Sequence, residues 1–154
     1  MGNYTFQWRQ AFRALPEMLE GALVTLQISI LSMLIGIAIA VLLAVGRDAK
    51  SAWLRAPATA WVEVARNTPA LFQIYMAHFG LGSFGIYLSP YAALLAGIAF
   101  NNAGYLCETF RGAMRAIPGT QLRAGRSLGM GQAKAFRLII LPQMFRISFL
   151  PTTN

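Results

Sequence analysis

Two groups of polar residues lie in or beside a long uncharged stretch of the chain, 67–106. Removed from water, each such side chain is costly unless it is hydrogen-bonded, paired or facing a cavity. Both groups therefore mark candidate sites for polar binding chemistry. The first follows Trp61 in "WVEVARNTPALFQIY" and its downstream segment, and the second lies in "FNNAGYLCE"; together they comprise Glu63, Arg66, Asn67, Thr68, Gln73, His78, Asn101, Asn102 and Tyr105.

Pro69 follows the first group and predicts a break or kink in its helix. Proline has no N–H, so a carbonyl one turn earlier, near Ala65, loses its helical partner. One interpretation is a kinked helix beside a polar cavity. In the other, Glu63 and Arg66 lie three residues apart on a helix, pair with each other and only anchor it at the membrane interface. The sequence leaves both interpretations open.

The polar residues suit binding rather than catalysis. We find no paired carboxylates, His–Glu cluster, Cys–His pair or phosphate-binding loop in the sequence, and we predict no catalytic residue, metal site or cofactor. His78 is the one histidine, so we expect it to be hydrogen-bonded or interfacial. Cys107 is the one cysteine; it cannot form an internal disulfide, and we expect a small packing residue.

The elements that position these side chains are predicted to be membrane helices. The 154 residues are 56% hydrophobic and 12% charged, whereas soluble domains carry about a quarter charged residues. The net charge of +8 comes from short basic intervals between uncharged stretches. It therefore indicates contact with a membrane surface rather than with nucleic acid. We predict an all-α, polytopic bundle of transmembrane helices.

The uncharged run from residue 21 to 45 exceeds the roughly 20 residues that a membrane-spanning helix needs. A cleaved signal peptide is the alternative, but the run is too long for one, and Glu17 and Glu20 replace the usual basic flank. A second uncharged stretch, 67–106, is too long for one helix and divides at "GLGSFGIYLSP", residues 80–90.

The predicted membrane domain therefore covers 1–154, with three full spans and part of another. The spans are expected at about 21–45, 60–81 and 91–107, with a cytoplasmic loop at about 108–137 and the start of a fourth span at about 138–154. Lysine and arginine cluster in 46–55 and 111–137, which places both intervals in the cytoplasm and the N-terminus outside.

Small residues recur every four positions in the first predicted span, at Ser32, Gly36, Ala40 and Ala44. Such a stripe lets a second helix approach closely, which predicts packing within a bundle. The alternative is that glycine and alanine are simply common in membrane helices.

The basic loop contains the stretch "RAGRSLGMGQAKAFRLIILP", residues 123–142. Before it, "IPG" at 117–119 ends one helix and permits a turn, and a short helical piece should then close at Gly129. Small residues beside a basic one could seat a partner closely. The alternative is a loop that enforces orientation and binds anionic lipid headgroups.

Residues of this loop resemble the signature loop of ABC importer permeases, Glu-Ala-Ala, three residues, Gly, nine residues, Ile-x-Leu-Pro. The matching positions are Ala124, Gly125, Gly129, Ile139, Leu141 and Pro142. The stretches 62–81, 104–121 and 136–154 are similar to the polar amino-acid permeases of bacterial type I importers. The resemblance covers nearly the whole chain.

The resemblance implies a permease subunit of an ATP-driven importer for polar amino acids in the bacterial inner membrane. Its partners would be a second permease subunit, cytoplasmic ABC ATPase subunits that perform the ATP chemistry, and an external solute-binding protein. The implied ATPase-docking residues are Arg123, Ala124, Gly125, Ser127, Leu128 and Gly129. The implied substrate path contains Thr68, Asn101, Asn102 and Tyr105.

Two features depart from the family pattern. Arg123 stands where the family usually has glutamate, which reverses the charge at the expected contact with the ATPase. Family members usually have at least five spans, so we expect this chain to be a fragment or a truncated product with an incomplete bundle. A non-transporting membrane scaffold, which needs only spans, orientation and one docking surface, is the rival interpretation.

Overall fold

Helices make up nearly all of residues 8–153, the part of the chain that this computed structural model describes, and no strand occurs among them. The all-α prediction is confirmed. The α-helices in chain order are α1 (Trp8–Arg47), α2 (Ala52–Asn67), α3 (Ala70–Tyr75), α4 (Pro90–Ala116), α5 (Gly119–Ser127), α6 (Gln132–Ala135) and α7 (Leu141–Thr153).

Helix α1 has 40 residues and extends well before the predicted first span. Its stripe of small residues is confirmed as a packing face, because Ser32, Gly36, Ala40 and Ala44 are all buried. Helix α4 lies directly against this face. A Cβ atom placed on Gly36 would lie 2.8 Å from the Cβ of Asn102, so glycine is what permits the two helices to approach this closely.

One helical stretch in the described part of the chain, Phe12–Arg47, is long and apolar enough by itself to cross a membrane. Length and composition alone are weak evidence for a span, since signal sequences and core helices of soluble proteins share them. In this stretch, however, many large apolar side chains are exposed, which is unlike the core helix of a soluble protein.

The predicted second span is not one continuous α-helix. Helix α2 ends at Asn67, Thr68 and Pro69 are extended, and α3 begins at Ala70. A π-helical turn, Met76–Gly80, and a 3-10 turn, Leu81–Phe84, follow α3. The predicted turn over 80–90 corresponds to this irregular end and to the loop that leads to α4.

Helix α4 is the central element of the bundle. Ser89 caps its N-terminus by accepting a hydrogen bond from the Ala92 N–H at 3.2 Å, which satisfies one of the free donors of the first turn. Its buried side chains pack on α1, α2 and α7. They include Leu106, Phe110 and Cys107, so the expected packing role of the cysteine is confirmed.

The predicted interruption at "IPG" is confirmed. Helix α4 ends at Ala116, Ile117 and Pro118 are extended, and α5 starts at Gly119. After α5, the short helix α6 passes through a π-helical turn, Phe136–Ile140, into α7. The chain thus returns to the bundle, where Met144 of α7 is completely buried in the core beside α4.

Candidate functional site

The break between α2 and α3 brings the polar residues of two helices together. Pro69 offers no N–H to the Ala65 carbonyl, as the sequence predicts. The Gln73 Nε2 donates to that oxygen at 2.9 Å and the Asn101 Nδ2 at 3.0 Å. Two side-chain amides therefore replace one backbone donor, which stabilises the broken helix in a buried position.

Thr68 is also tied to the break. Its hydroxyl donates to the Val64 carbonyl at 2.8 Å and accepts from Gln73 Nε2 at 2.8 Å. The same amide nitrogen lies 3.1 Å from the Thr68 carbonyl. Because acceptors surround it, this end of the Gln73 amide must be the NH₂ group. The opposite atom, the buried Oε1, has no hydrogen-bond donor in the described part of the chain.

Three of the four residues of the implied substrate path meet at this break. The Tyr105 hydroxyl lies 3.5 Å from the Arg66 carbonyl, to which it donates, and the tyrosine is 51% exposed. Asn102 instead lies against α1, beside Gly36. The reason is helical geometry, since Asn101 and Tyr105 are one turn apart on α4 and Asn102 is turned away from them.

Gln73 belongs to this cluster although it is absent from the implied substrate path. It is 8% exposed and donates to the Ala65 carbonyl of α2 and to Thr68 within the break. Its position four residues after a proline, in an otherwise apolar helix, is the sequence signal that could have indicated a capping role.

A cleft of about 460 Å³ opens between the α2–α3 segment and α4. Thr68 and Gln73 are its polar side chains, and the other lining residues, such as Phe72, Met76 and Phe100, are apolar. The cavity is therefore far less polar than the interpretation of a kinked helix beside a polar cavity predicts. Its polar groups are concentrated at the break.

Glu63 and Arg66 do not pair with each other, so the second interpretation of the sequence is wrong on this point. Glu63 lies 3.8 Å from Arg47 of α1, and Arg66 lies 3.9 Å from Glu108 of α4. The two side chains contact different helices because they leave α2 about 60° apart, at about 100° per residue.

Glu108 is the centre of an ion-pair network that joins α1, α2 and α4. Its carboxylate accepts hydrogen bonds from Arg47 and, at 2.9 Å, from Arg111. Arg111 also lies 3.3 Å from Asp48, which follows α1. Glu108 lies just beyond the expected third span. Its burial raises the pKa of the carboxyl group, but the Arg111 hydrogen bond and the charges of the surrounding arginines outweigh the burial and hold that pKa below its usual range.

His78 is hydrogen-bonded, as expected. Its Nδ1 lies 3.2 Å from the Leu88 carbonyl, which can only accept, and its ring stands edge-on to Phe79. Within residues 8–153, no group of three or more histidine, cysteine or acidic residues could hold a metal ion.

Gly125 and Gly129, which stand at two signature positions of the loop, are each required for a different structural reason. Gly125 is buried, and a Cβ atom there would lie 2.6 Å from the Ile139 Cδ1, so glycine lets α5 rest on the π-helical turn. Gly129 has φ +79°. Its N–H donates to the Arg126 carbonyl, and the Met130 N–H donates to the Gly125 carbonyl. This is the glycine-dependent C-cap in which a left-handed residue closes the helix.

The remaining residues of the implied docking set are on the surface. Arg123, Ala124, Ser127, Leu128 and Gly129 are exposed, and Leu128 is 79% exposed although it is a large apolar side chain. Gly125 faces the protein, so it positions this surface and does not form part of it. The exposed side of α5 is thus a short ridge in which basic, small and apolar side chains are adjacent.

The signature loop and the helices around it match a family model over residues 33–153. Its description is the inner membrane component of binding-protein-dependent transport systems. The chain belongs to this family.

Relatives of this inner membrane component confirm the resemblance to amino-acid importer permeases. The chain is 34% identical over 152 residues to the probable amino-acid ABC transporter permease protein YckA of Bacillus subtilis, covering 99% of the chain and 67% of YckA. It is 35% identical over 150 residues to the octopine transport system permease protein OccM of Rhizobium radiobacter, covering 92% of the chain and 60% of OccM.

The fold is also similar to a solved transporter. A crystal structure of an amino acid ABC transporter with histidines matches with a TM-score of 0.79 and 29% identity, over 97% of this chain and 69% of the other. The chain therefore spans about 60 to 69% of the length of these three proteins.

Proposed function

We propose that this inner membrane component is a permease subunit of an ATP-driven amino-acid importer. The observation that carries the proposal is the match of the helical bundle, with its signature loop, to an amino acid ABC transporter at a TM-score of 0.79. The names of YckA and OccM support amino acids or related compounds as the solute class. The permease itself would be non-catalytic, with ATP hydrolysis performed by a separate subunit.

The proposed topology is multi-pass with the N-terminus outside. In this arrangement α1 crosses the membrane first, the α2–α3 segment crosses back, and α4 returns to the cytoplasm. The basic ends of α1 and α4 lie together in the ion-pair network at Arg47 and Arg111, which fits a shared cytoplasmic side. Helix α7 would begin a further span.

The proposed docking surface for the ATPase is the exposed ridge of α5, formed by Arg123, Ala124, Ser127, Leu128 and Gly129. Helix α5 follows α4 after two extended residues and rests on the π-helical turn that leads into α7. A movement of the ATPase against α5 would therefore be transmitted to both α4 and α7. The network at Glu108 would extend it to α1 and α2.

The proposed solute path passes the break between α2 and α3, at Thr68, Asn101 and Tyr105, with Asn102 on the side of α4 that faces α1. An amino acid needs acceptors for its ammonium group and donors for its carboxylate. Extended backbone at membrane depth, satisfied by side chains and beside a cleft, is a typical setting for such a site. The external solute-binding protein would deliver the amino acid to this path.

Substitution of Thr68 by valine tests the path separately from docking. Valine has nearly the same shape but removes the hydroxyl, so we expect weaker amino-acid uptake with unchanged binding of the ATPase. Asn67→Ala is a nearby control, because the Asn67 side chain bonds only within α2, to Glu63. Normal uptake by the valine variant would exclude the Thr68 hydroxyl from the path.

A further inference from the structure

We propose that the exposed ridge of α5, together with the adjoining Arg126, binds an acidic groove with carboxylates opposite Arg123 and Arg126 and an apolar wall against Leu128. The inference rests on the proposed function, since the partner is taken to be the ATPase subunit. The inference adds the charge of the partner's surface. A family member with glutamate at the position of Arg123 would require a basic surface there, whereas this chain requires an acidic one.

The geometry of α5 defines which side chains a partner would meet. Gly125 is buried and marks the side that faces the protein. At about 100° per residue, Arg123 and Ser127 lie on the opposite side, with Arg126 on one flank and Ala124 on the other. Leu128 follows the last residue of the helix and is 79% exposed. The Ser127 hydroxyl donates to the Arg123 carbonyl at 3.1 Å, so it is used within the helix. The guanidinium groups are the main polar feature of the ridge.

The positive charge of this region has no counter-charge within the described part of the chain. No acidic residue follows Glu108 anywhere in the sequence. Of the five acidic residues in the sequence, Asp48, Glu63 and Glu108 are engaged in the ion-pair network instead. On α5, the exposed Arg123 and Arg126 form no ion pair within the described residues. Such an uncompensated patch is complementary to an acidic partner.

The shape of the ridge favours a protein groove over a lipid surface. A helix that lies on a membrane presents several apolar side chains along one face. The exposed side of α5 has one large apolar side chain, Leu128, and it stands at the end of the helix. The neighbouring Ala124 and Gly129 are small, which allows the backbone of a partner to come close.

A binding measurement tests the inference. The purified chain is placed in nanodiscs of uncharged lipid, and its affinity for the transporter's own ATPase is measured. We expect Arg123→Glu and Arg126→Glu each to raise the Kd by about tenfold or more at low salt and to reduce its salt dependence. Arg115→Glu is the matched control, because Arg115 is also exposed but lies on α4; its Kd should change by about threefold or less. Leu128→Ala, which removes apolar contact without adding charge, should weaken binding equally at low and high salt.

A second substitution makes the test specific for charge. If a groove carboxylate faces Arg123, replacing that carboxylate with lysine in the ATPase should restore binding of the Arg123→Glu variant. Arg123→Gln should give an intermediate Kd, and both variants should melt like the unmodified chain because the side chain is exposed.

Other outcomes separate the inference from the proposed function. Unchanged or tighter ATPase binding by Arg123→Glu would overturn the acidic groove while leaving the permease assignment intact. Failure of the unmodified chain to bind the ATPase would count against the proposed function itself. If Arg123→Glu instead lost binding to vesicles of anionic lipid while its ATPase binding stayed unchanged, lipid headgroups would be the occupant of the ridge. That result would contradict the inference.

Discussion

Replacing Glu108 by glutamine should loosen the junction of α1, α2 and α4. The carboxylate accepts from Arg47 and Arg111, whose side chains are only 14% and 12% exposed, so their charges depend on nearby anions. An amide keeps one acceptor oxygen but loses the negative charge. Arg111 would retain Asp48, whereas Arg47 would retain only the more distant Glu63.

The expected loss lies between two limits. An exposed ion pair is worth at most about 1 kcal/mol, and removal of one partner from a buried pair costs about 3–5 kcal/mol. The Glu108 side chain is 33% exposed, so we expect the free energy of unfolding to fall by about 2 kcal/mol. For a chain of this size that corresponds to a Tm lower by about 4 to 8 °C.

Thermal unfolding of the purified protein in detergent, followed by its helical ellipticity, measures this effect. Glu63→Gln is the matched control, since the Glu63 side chain is 59% exposed and lies 3.8 Å from Arg47. Its Tm should fall by less than half as much. Equal decreases for the two variants, or no decrease for Glu108→Gln, would refute the role of Glu108 as the centre of the network.

We expect the Tm difference between the unmodified chain and Glu108→Gln to depend on pH. Because the folded protein holds the pKa of Glu108 below its ordinary value, the stabilisation by its carboxylate is fully present above that ordinary value and is lost as the pH falls through the lower folded pKa. The Tm difference between the unmodified chain and Glu108→Gln should therefore shrink in acid. A difference that stays constant as the pH falls would contradict a lowered pKa for Glu108 in the folded protein.

Three further predictions concern substitutions to alanine, and each is measured as a change in Tm. Gly104→Ala should lower the free energy of unfolding by about 1–3 kcal/mol, because the added Cβ would lie 2.4 Å from a side chain of α2. Gly112→Ala has open space at Cβ, so it should leave the free energy of unfolding unchanged or raise it by up to about 1 kcal/mol. Asn101→Ala should cost about 1 kcal/mol by removing its hydrogen bond, while Asn102→Ala should cost less; equal effects would contradict the capping of the break. Gly129→Ala should cost about 1–2 kcal/mol, since alanine resists a φ of +79°, and an unchanged Tm would contradict the glycine-dependent C-cap.

Local sequence signals predicted the backbone well where one residue type decides the outcome. Pro69 removes a donor, so the unsatisfied Ala65 carbonyl could be predicted from the sequence alone. The "IPG" segment likewise fixed the end of α4 and the start of α5. The stripe of small residues on α1 predicted its packing face because helical periodicity alone places Gly36 and Ala40 on the same side.

Contacts between helices were harder to predict. The spacing of Glu63 and Arg66 permits a local pair, but each side chain pairs with a residue of another helix. The spacing along the chain does not show how far those helices lie from α2. For the same reason the sequence alone does not place Gln73 in the candidate path. Gly125 matches the signature, yet only the position of Ile139 shows that its role is close packing.

ATP-dependent amino-acid uptake is the most direct test of the account. The chain would be reconstituted into liposomes with its ATPase, its second permease subunit and the solute-binding protein, and accumulation of radiolabelled amino acids would be measured with ATP or without it. We expect accumulation that requires ATP and is lost in Leu128→Asp, whose ridge should not engage the ATPase. No ATP-dependent accumulation by the unmodified assembly, with the ATPase bound, would contradict assignment of this chain as a transporting permease subunit.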